Sequence, residues 1–115
     1  MNHKKLDAWK KSMDLVEHVY LMTKDFPKTE VYGLTSQIRR SAISVPSNIA
    51  EGAGRDSKKE YIRFLNIAYG SINELETQIL LAKRLNYKID ENSIDLIFEV
   101  QRLIMGLKRY LMNSN

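Results

Sequence analysis

The sequence predicts an all-α fold, four helices in a single domain spanning residues 1–115, on three observations. Apolar residues recur at alternating steps of three and four along most of the chain, the spacing of a buried helix face. No stretch reads as a strand. Helix-breaking residues cluster near Pro27, Gly52 to Gly54 and Asn86, and these divide the chain into four segments.

Residues 6–26 read as the first helix. Leu6, Trp9, Met13, Val16 and Tyr20 form one apolar row, and Ala8, Leu15, Val19, Met22 and Phe26 form a second beside it, so the stripe is wide. Pro27 stops this helix, and Lys28 with Thr29 makes a short link.

The second helix is expected to start near Thr29 or Glu30. Its core row is Leu34, Ile38, Ala42, Val45 and Ile49. Pro46 falls within the span of that row, which predicts a kinked helix, because proline removes a backbone bond and crowds the Ala42 carbonyl at a cost of roughly 3 kcal/mol. A polar row of Gln37, Ser41, Ser44, Asn48 and Glu51 flanks the core row. It admits two readings: hydrogen bonds to the backbone at the kink and to a neighbouring helix, or, through Asn48 and Glu51, the lining of a subunit interface or ligand groove. Gly52 and Gly54 can adopt the left-handed conformation that ends helices, so the chain is expected to turn there.

Ser57 and Glu60 match a capping box at the start of the third helix. Tyr61, Leu65, Ala68, Ile72, Leu75, Ile79 and Ala82 then hold a heptad rhythm through Leu85, which predicts near-parallel packing along a helix of about 45 Å. Asp90 is a plausible cap for the last helix, residues 91–112. Its row is Ile97, Val100, Ile104, Leu107 and Leu111, but Leu96, Phe98, Leu103 and Met105 widen the apolar surface beyond one core. Such a helix predicts burial on more than one side and hence subunit contacts.

Composition excludes several chemistries. With no cysteine in 115 residues, disulfides and thiolate metal sites are ruled out. No apolar run approaches the roughly 20 residues of a membrane span, and the charged N-terminus lacks a signal-peptide core, so a soluble cytoplasmic protein without membrane partners is expected. Di-metal bundles need Glu-x-x-His pairs, and none occurs; His3 and His18 stand apart. No Gly-x-Ser-x-Gly elbow is present, and the Gly52-x-Gly54 pair is too short for a phosphate loop. Neither catalysis nor a cofactor is expected.

Charge is more informative. The net charge of +4 is distributed as +1 over residues 1–27 (five Lys/Arg, four Asp/Glu), +3 over 28–63 (seven and four) and zero over 64–115 (six and six). The middle segment holds Arg39, Arg40, Arg55, Lys58, Lys59 and Arg63, candidate contacts to the phosphates of RNA or DNA. Lys58, Lys59 and Arg63 stand in the first turns of the third helix, where the dipole already favours an anion. The alternative for these six is a solvated basic face balanced by Glu60.

Three stretches carry a family resemblance: Tyr32 to Ala42, then Ser44-Val45-Pro46-Ser47-Asn48-Ile49-Ala50-Glu51-Gly52, then Lys59 to Ala68. With Leu6 to Trp9 and Glu74 to Gln78, they resemble the four-helix-bundle family of 23S rRNA intervening-sequence proteins. The resemblance implies a bacterial cytoplasmic protein, an up-down four-helix bundle that assembles into a homopentameric ring, with Ser44, Pro46, Asn48, Glu51 and Gly52 as structural or interface positions. A similar accessory protein of diversity-generating retroelements works with a reverse transcriptase and binds nucleic acid through a basic surface. Such a partner is therefore implied here as well. The expected function is a non-enzymatic, oligomeric nucleic-acid-binding module favouring RNA, its alternative a structural or adaptor ring that binds a protein. A hydrolase or nuclease reading would depend on Glu51 or Glu60.

Overall fold

The computed structural model describes residues 2–114. Four helices account for most of it: α1 (Asp7–Thr23), α2 (Leu34–Ala53), α3 (Lys58–Arg84) and α4 (Glu91–Asn113). Each helix lies beside the next, and α4 returns to lie beside α1. The pairings run antiparallel throughout: Ser41 meets Glu74 and Gln78 while Ser44 meets Ser71, and Lys11 meets Glu99 while His18 meets Asp90. The arrangement is an up-down four-helix bundle. At 1.5 Å per residue the 27 residues of α3 span about 40 Å, most of the 49 Å long axis.

The core follows the expected rows with one exchange. In α1 the buried row is Ala8, Leu15, Val19 and Met22, continued by Phe26 beyond the helix end, whereas Trp9, Val16 and Tyr20 are half-buried and Met13 is exposed. The row expected first is thus the flank. Both rows have helical spacing, so only the neighbours decide which faces inward. Leu34, Ile38, Ala42, Val45 and Ile49 of α2 are buried, as are the seven α3 residues from Tyr61 to Ala82. Leu85 is not: it caps α3 and lies 47% exposed, so the heptad rhythm stops one step early. In α4, Ile97, Val100, Ile104 and Leu111 are buried, whereas Leu107 of the expected row is half-buried. Phe98 on the opposite side is 51% exposed. Each fully buried Leu or Ile contributes about 1.5–3 kcal/mol relative to exposure.

Capping explains the helix bounds. Ser57 Oγ accepts from Glu60 N at 3.0 Å, half of the expected capping box. The Glu60 carboxylate turns to Arg63 instead. Asp90 Oδ1 accepts from Asn92 N at 3.0 Å and starts α4. The second helix begins later than expected, at Leu34, because Lys28–Glu30 forms a separate 3-10 turn whose Glu30 reaches forward to accept from Leu34 N. The first helix ends earlier, at Thr23, whose hydroxyl donates to Val19 O at 2.8 Å.

The glycine turn is built differently from expectation. Gly52 lies within α2, buried, and Gly54 caps it with φ −85°, so neither uses the left-handed region. Gly52 is needed for space: a Cβ there would stand 2.8 Å from Phe64 Cβ and 3.1 Å from Tyr61 O. The left-handed residue is Asn86, φ 65°, which turns the chain from α3 toward α4. Among the described residues no helix is long and apolar enough to cross a membrane.

Candidate nucleic-acid interface

The six expected basic residues fall into two groups. Arg55, Lys58, Lys59 and Arg63 gather where α2 hands over to α3. Arg39 and Arg40 stand near the other end of α2, some 15 residues or about 20 Å along the helix from Arg55. A cluster contiguous in composition is therefore divided by the helix that carries it.

The α3 group is largely balanced by its own neighbours. Arg55 and Arg63 set their guanidinium groups over the Phe64 ring, 4.9 and 4.6 Å from its centroid. Arg55 lies 3.6 Å from Glu51, and Arg63 Nε donates to Glu60 Oε2 at 3.0 Å. The Arg63 hydrogen bond holds the Glu60 carboxyl below its ordinary range, opposed by desolvation and helped by the positive charges of Arg63, Arg55 and Lys59. Lys58 donates to the Ser114 carbonyl at the end of α4. Lys59 is exposed and makes no ion pair with the described residues.

At the other end Arg39 is a clamp between helices. Its Nε donates to Thr23 Oγ1 at 2.8 Å, an Nη reaches Tyr20 O at 3.5 Å, and the guanidinium lies over the Tyr20 ring at 4.5 Å. Tyr20 O is one of the last four carbonyls of α1, so Arg39 serves an acceptor that the helix end leaves open. Arg40, next to it, is exposed. Both border an open groove of about 540 Å³ between the end of α1 and the start of α2, which Lys24 and Lys28 also line. Sequence reasoning passed over these two lysines. The available signal was their position on either side of Pro27, since a helical hairpin brings the end of one helix beside the start of the next.

The proline-centred motif packs on three sides. Ser44 Oγ lies 2.8 Å from Ser71 Oγ on α3. Asn48 Nδ2 donates to both Ser44 O and Ser44 Oγ, at 2.8 and 2.9 Å. The amide thus goes to the Ser44 carbonyl rather than to that of Ala42, the acceptor that Pro46 leaves without its usual donor. Ser41, almost fully buried, faces Glu74 and Gln78, while Gln37 and Glu51 are exposed. Pro46 itself is buried at a second groove of about 380 Å³, whose other walls include Trp9, Met13, Val16 and Ile43.

Elsewhere, Asp14, Glu17, Asp95 and Glu99 line an acidic groove between α1 and α4, with His18 Nδ1 3.2 Å from Asp90. No three His, Asp or Glu side chains among the described residues are grouped to hold a metal.

These features define a small all-α bundle with basic patches at both ends of its second helix. The chain belongs to the 23S rRNA-intervening sequence protein family, whose profile matches residues 4–109. It is similar to a protein of unknown function from the S23 ribosomal protein family of Bacteroides thetaiotaomicron VPI-5482, known from a 1.70 Å crystal structure. The two share 25% identity at a TM-score of 0.78, over 88% of this chain and 97% of the other. No curated protein matches the chain.

Proposed function

We propose that this chain is a non-enzymatic, oligomeric nucleic-acid-binding protein that acts on RNA in the bacterial cytoplasm. The observation that carries the reading is the surplus of three positive charges in residues 28–63, a segment made of α2, its approach, the link that holds Arg55 and the first turns of α3. Arg39, Arg40, Arg55, Lys58, Lys59 and Arg63 supply that charge. The family's association with 23S rRNA supports the choice of RNA.

A homopentameric ring multiplies such weak sites by avidity. The uncovered groove of Trp9, Met13, Val16, Ile43 and Pro46 supports self-association, as do the exposed Phe98 and Met112 of α4. A bend of α2 at Pro46 shapes that groove. Fluorescence anisotropy with labelled RNA at several salt concentrations tests the binding: log affinity falls with log salt if phosphates are neutralised, and a flat response refutes the reading. Light scattering that returns only the 13.4 kDa monomer at micromolar concentration refutes the ring.

The same exposed apolar residues favour a second reading, an adaptor ring that holds a protein such as a reverse transcriptase. A stoichiometric protein partner that survives nuclease treatment, with no RNA affinity in the purified chain, selects it.

A further inference from the structure

The two basic groups differ in a way that their composition conceals. At the start of α3 each arginine has a carboxylate, Glu51 or Glu60. In the groove between α1 and α2 four cations, Lys24, Lys28, Arg39 and Arg40, form the border and no acidic residue lines it. None of the four makes an ion pair with a described residue.

Two of these cations have structural work. Arg39 clamps α1 through Thr23 and Tyr20. Lys24 caps the C-terminal end of α1, where the helix dipole favours a cation. Lys28 and Arg40 have no such role: both are exposed, and both add like charge to a site that already holds two. Unpaired like charges brought together raise the energy of the free protein, and an anion relieves it. Thr35 and Ser36 of the first turn of α2 add hydroxyls to the same groove, while the start of that helix is already served by the Glu30 carboxylate, which accepts from Leu34 N outside the groove lining.

The groove is not only charged. Arg39 sets its guanidinium over the Tyr20 ring, 4.5 Å from the centroid, and arginine and aromatic side chains are surfaces on which bases stack. Val31 and Ile43, 49% and 43% exposed, add an apolar wall. A volume of about 540 Å³ is within the range of roughly 300–1,000 Å³ that holds a small ligand.

We propose that this groove is the contact point for single-stranded nucleic acid, taking a phosphate on Lys28 and Arg40 and one base against the Arg39–Tyr20 stack and the Val31–Ile43 wall. The proposal rests on the nucleic-acid reading above and moves the contact from the start of α3 to the α1–α2 junction.

The test is anisotropy of a short fluorescein-labelled single-stranded RNA with the full chain and two double variants, both checked for helix content. Lys28→Glu with Arg40→Glu weakens binding about tenfold or more and lowers the salt slope by about 0.7, the one phosphate contact that the two cations share. Arg55→Glu with Lys58→Glu changes affinity less than about threefold. Wild-type affinity in the first variant, with loss in the second, overturns the groove assignment and leaves the nucleic-acid reading standing. Absence of RNA binding by the unmodified chain overturns both. A second measurement needs no variant: adenosine monophosphate added to the labelled chain shifts the amide resonances of Thr35, Ser36 and Arg40. Shifts confined to the start of α3, or none at all, overturn the groove assignment.

Discussion

Replacing Gly52 with alanine tests how α2 and α3 are held at their junction. The added Cβ would lie 2.8 Å from Phe64 Cβ, 3.1 Å from Tyr61 O and 3.2 Å from Tyr61 Cδ1. Two of those atoms belong to the first turns of a capped helix close to the backbone, so no flexible side-chain end can yield. The helices must part. Overpacking costs about 1–3 kcal/mol, and with contacts this close and nothing to yield the upper part of that range, about 2–3 kcal/mol, applies. Alanine returns up to about 1 kcal/mol of helix propensity, which leaves a net loss of about 1–2 kcal/mol. At about 2.1 cal/mol/K per residue, the unfolding entropy of the 115-residue chain is about 0.24 kcal/mol/K, so Tm falls by about 4–8 °C. Gly70→Ala is the matched control: Gly70 is also inside a helix, yet nothing lies within 4 Å of its Cβ position. That variant keeps the propensity gain and raises Tm by a few degrees, about 2–4 °C. Thermal melts at one fixed protein concentration read both. If Gly52→Ala melts at or above the parent temperature, the close approach is not what requires glycine there.

Three further outcomes follow from single contacts. Ser41→Ala lowers stability by about 1 kcal/mol by removing the hydroxyl shared by Glu74 and Gln78, whereas Ser93→Ala raises it or leaves it unchanged, because the buried Ser93 Oγ has no hydrogen-bond partner; urea midpoints with unchanged slopes separate the two. Glu30 accepts from the Tyr87 hydroxyl at 2.7 Å and then from Leu34 N, and these bonds hold its carboxyl below the ordinary 4.5. A depressed carboxylate stabilises the fold above its unfolded pKa and loses that contribution as pH falls through the folded value. The Tm gap between the parent and Tyr87→Phe is therefore full well above pH 4.5 and narrows as the pH falls below it, and a pH-independent gap contradicts the linkage. Pro46→Ala restores the N–H missing from α2 and trims the Pro46 wall of the second groove; a changed oligomer mass by light scattering is expected, and an unchanged one reduces the proline to a local feature.

The legibility of this chain varies with how local each cause is. Helix capping is local, and Ser57 and Asp90 could be read as caps because a hydroxyl or carboxylate needs only the next turn to act. Core rows on a helix with one apolar stripe, such as Ile38 to Ile49, are legible for the same reason. On α1 two apolar rows compete, and nothing within the helix says that Leu15 and Val19 face inward while Met13 faces out. The candidate site was legible as a count of charges but not as a place. Arg39 and Arg55 belong to one basic segment, yet the helix between them sets them about 20 Å apart. Glu51 and Glu60 then neutralise one group and not the other.

The sequence by itself determined the helical fold, the number of helices and the surplus of positive charge around α2, because periodicity, breakers and composition are properties of neighbouring residues. It also determined the family, which matches over residues 4–109. The tertiary structure alone decided that Gly52 is required for a close helix approach rather than for a turn. It alone brought Lys24 and Lys28 beside Arg39 and Arg40 in a groove without acids. Both depend on which side chains meet across a helix pair: the break at Pro27 brings two helix ends together, but it does not say which residues face one another there.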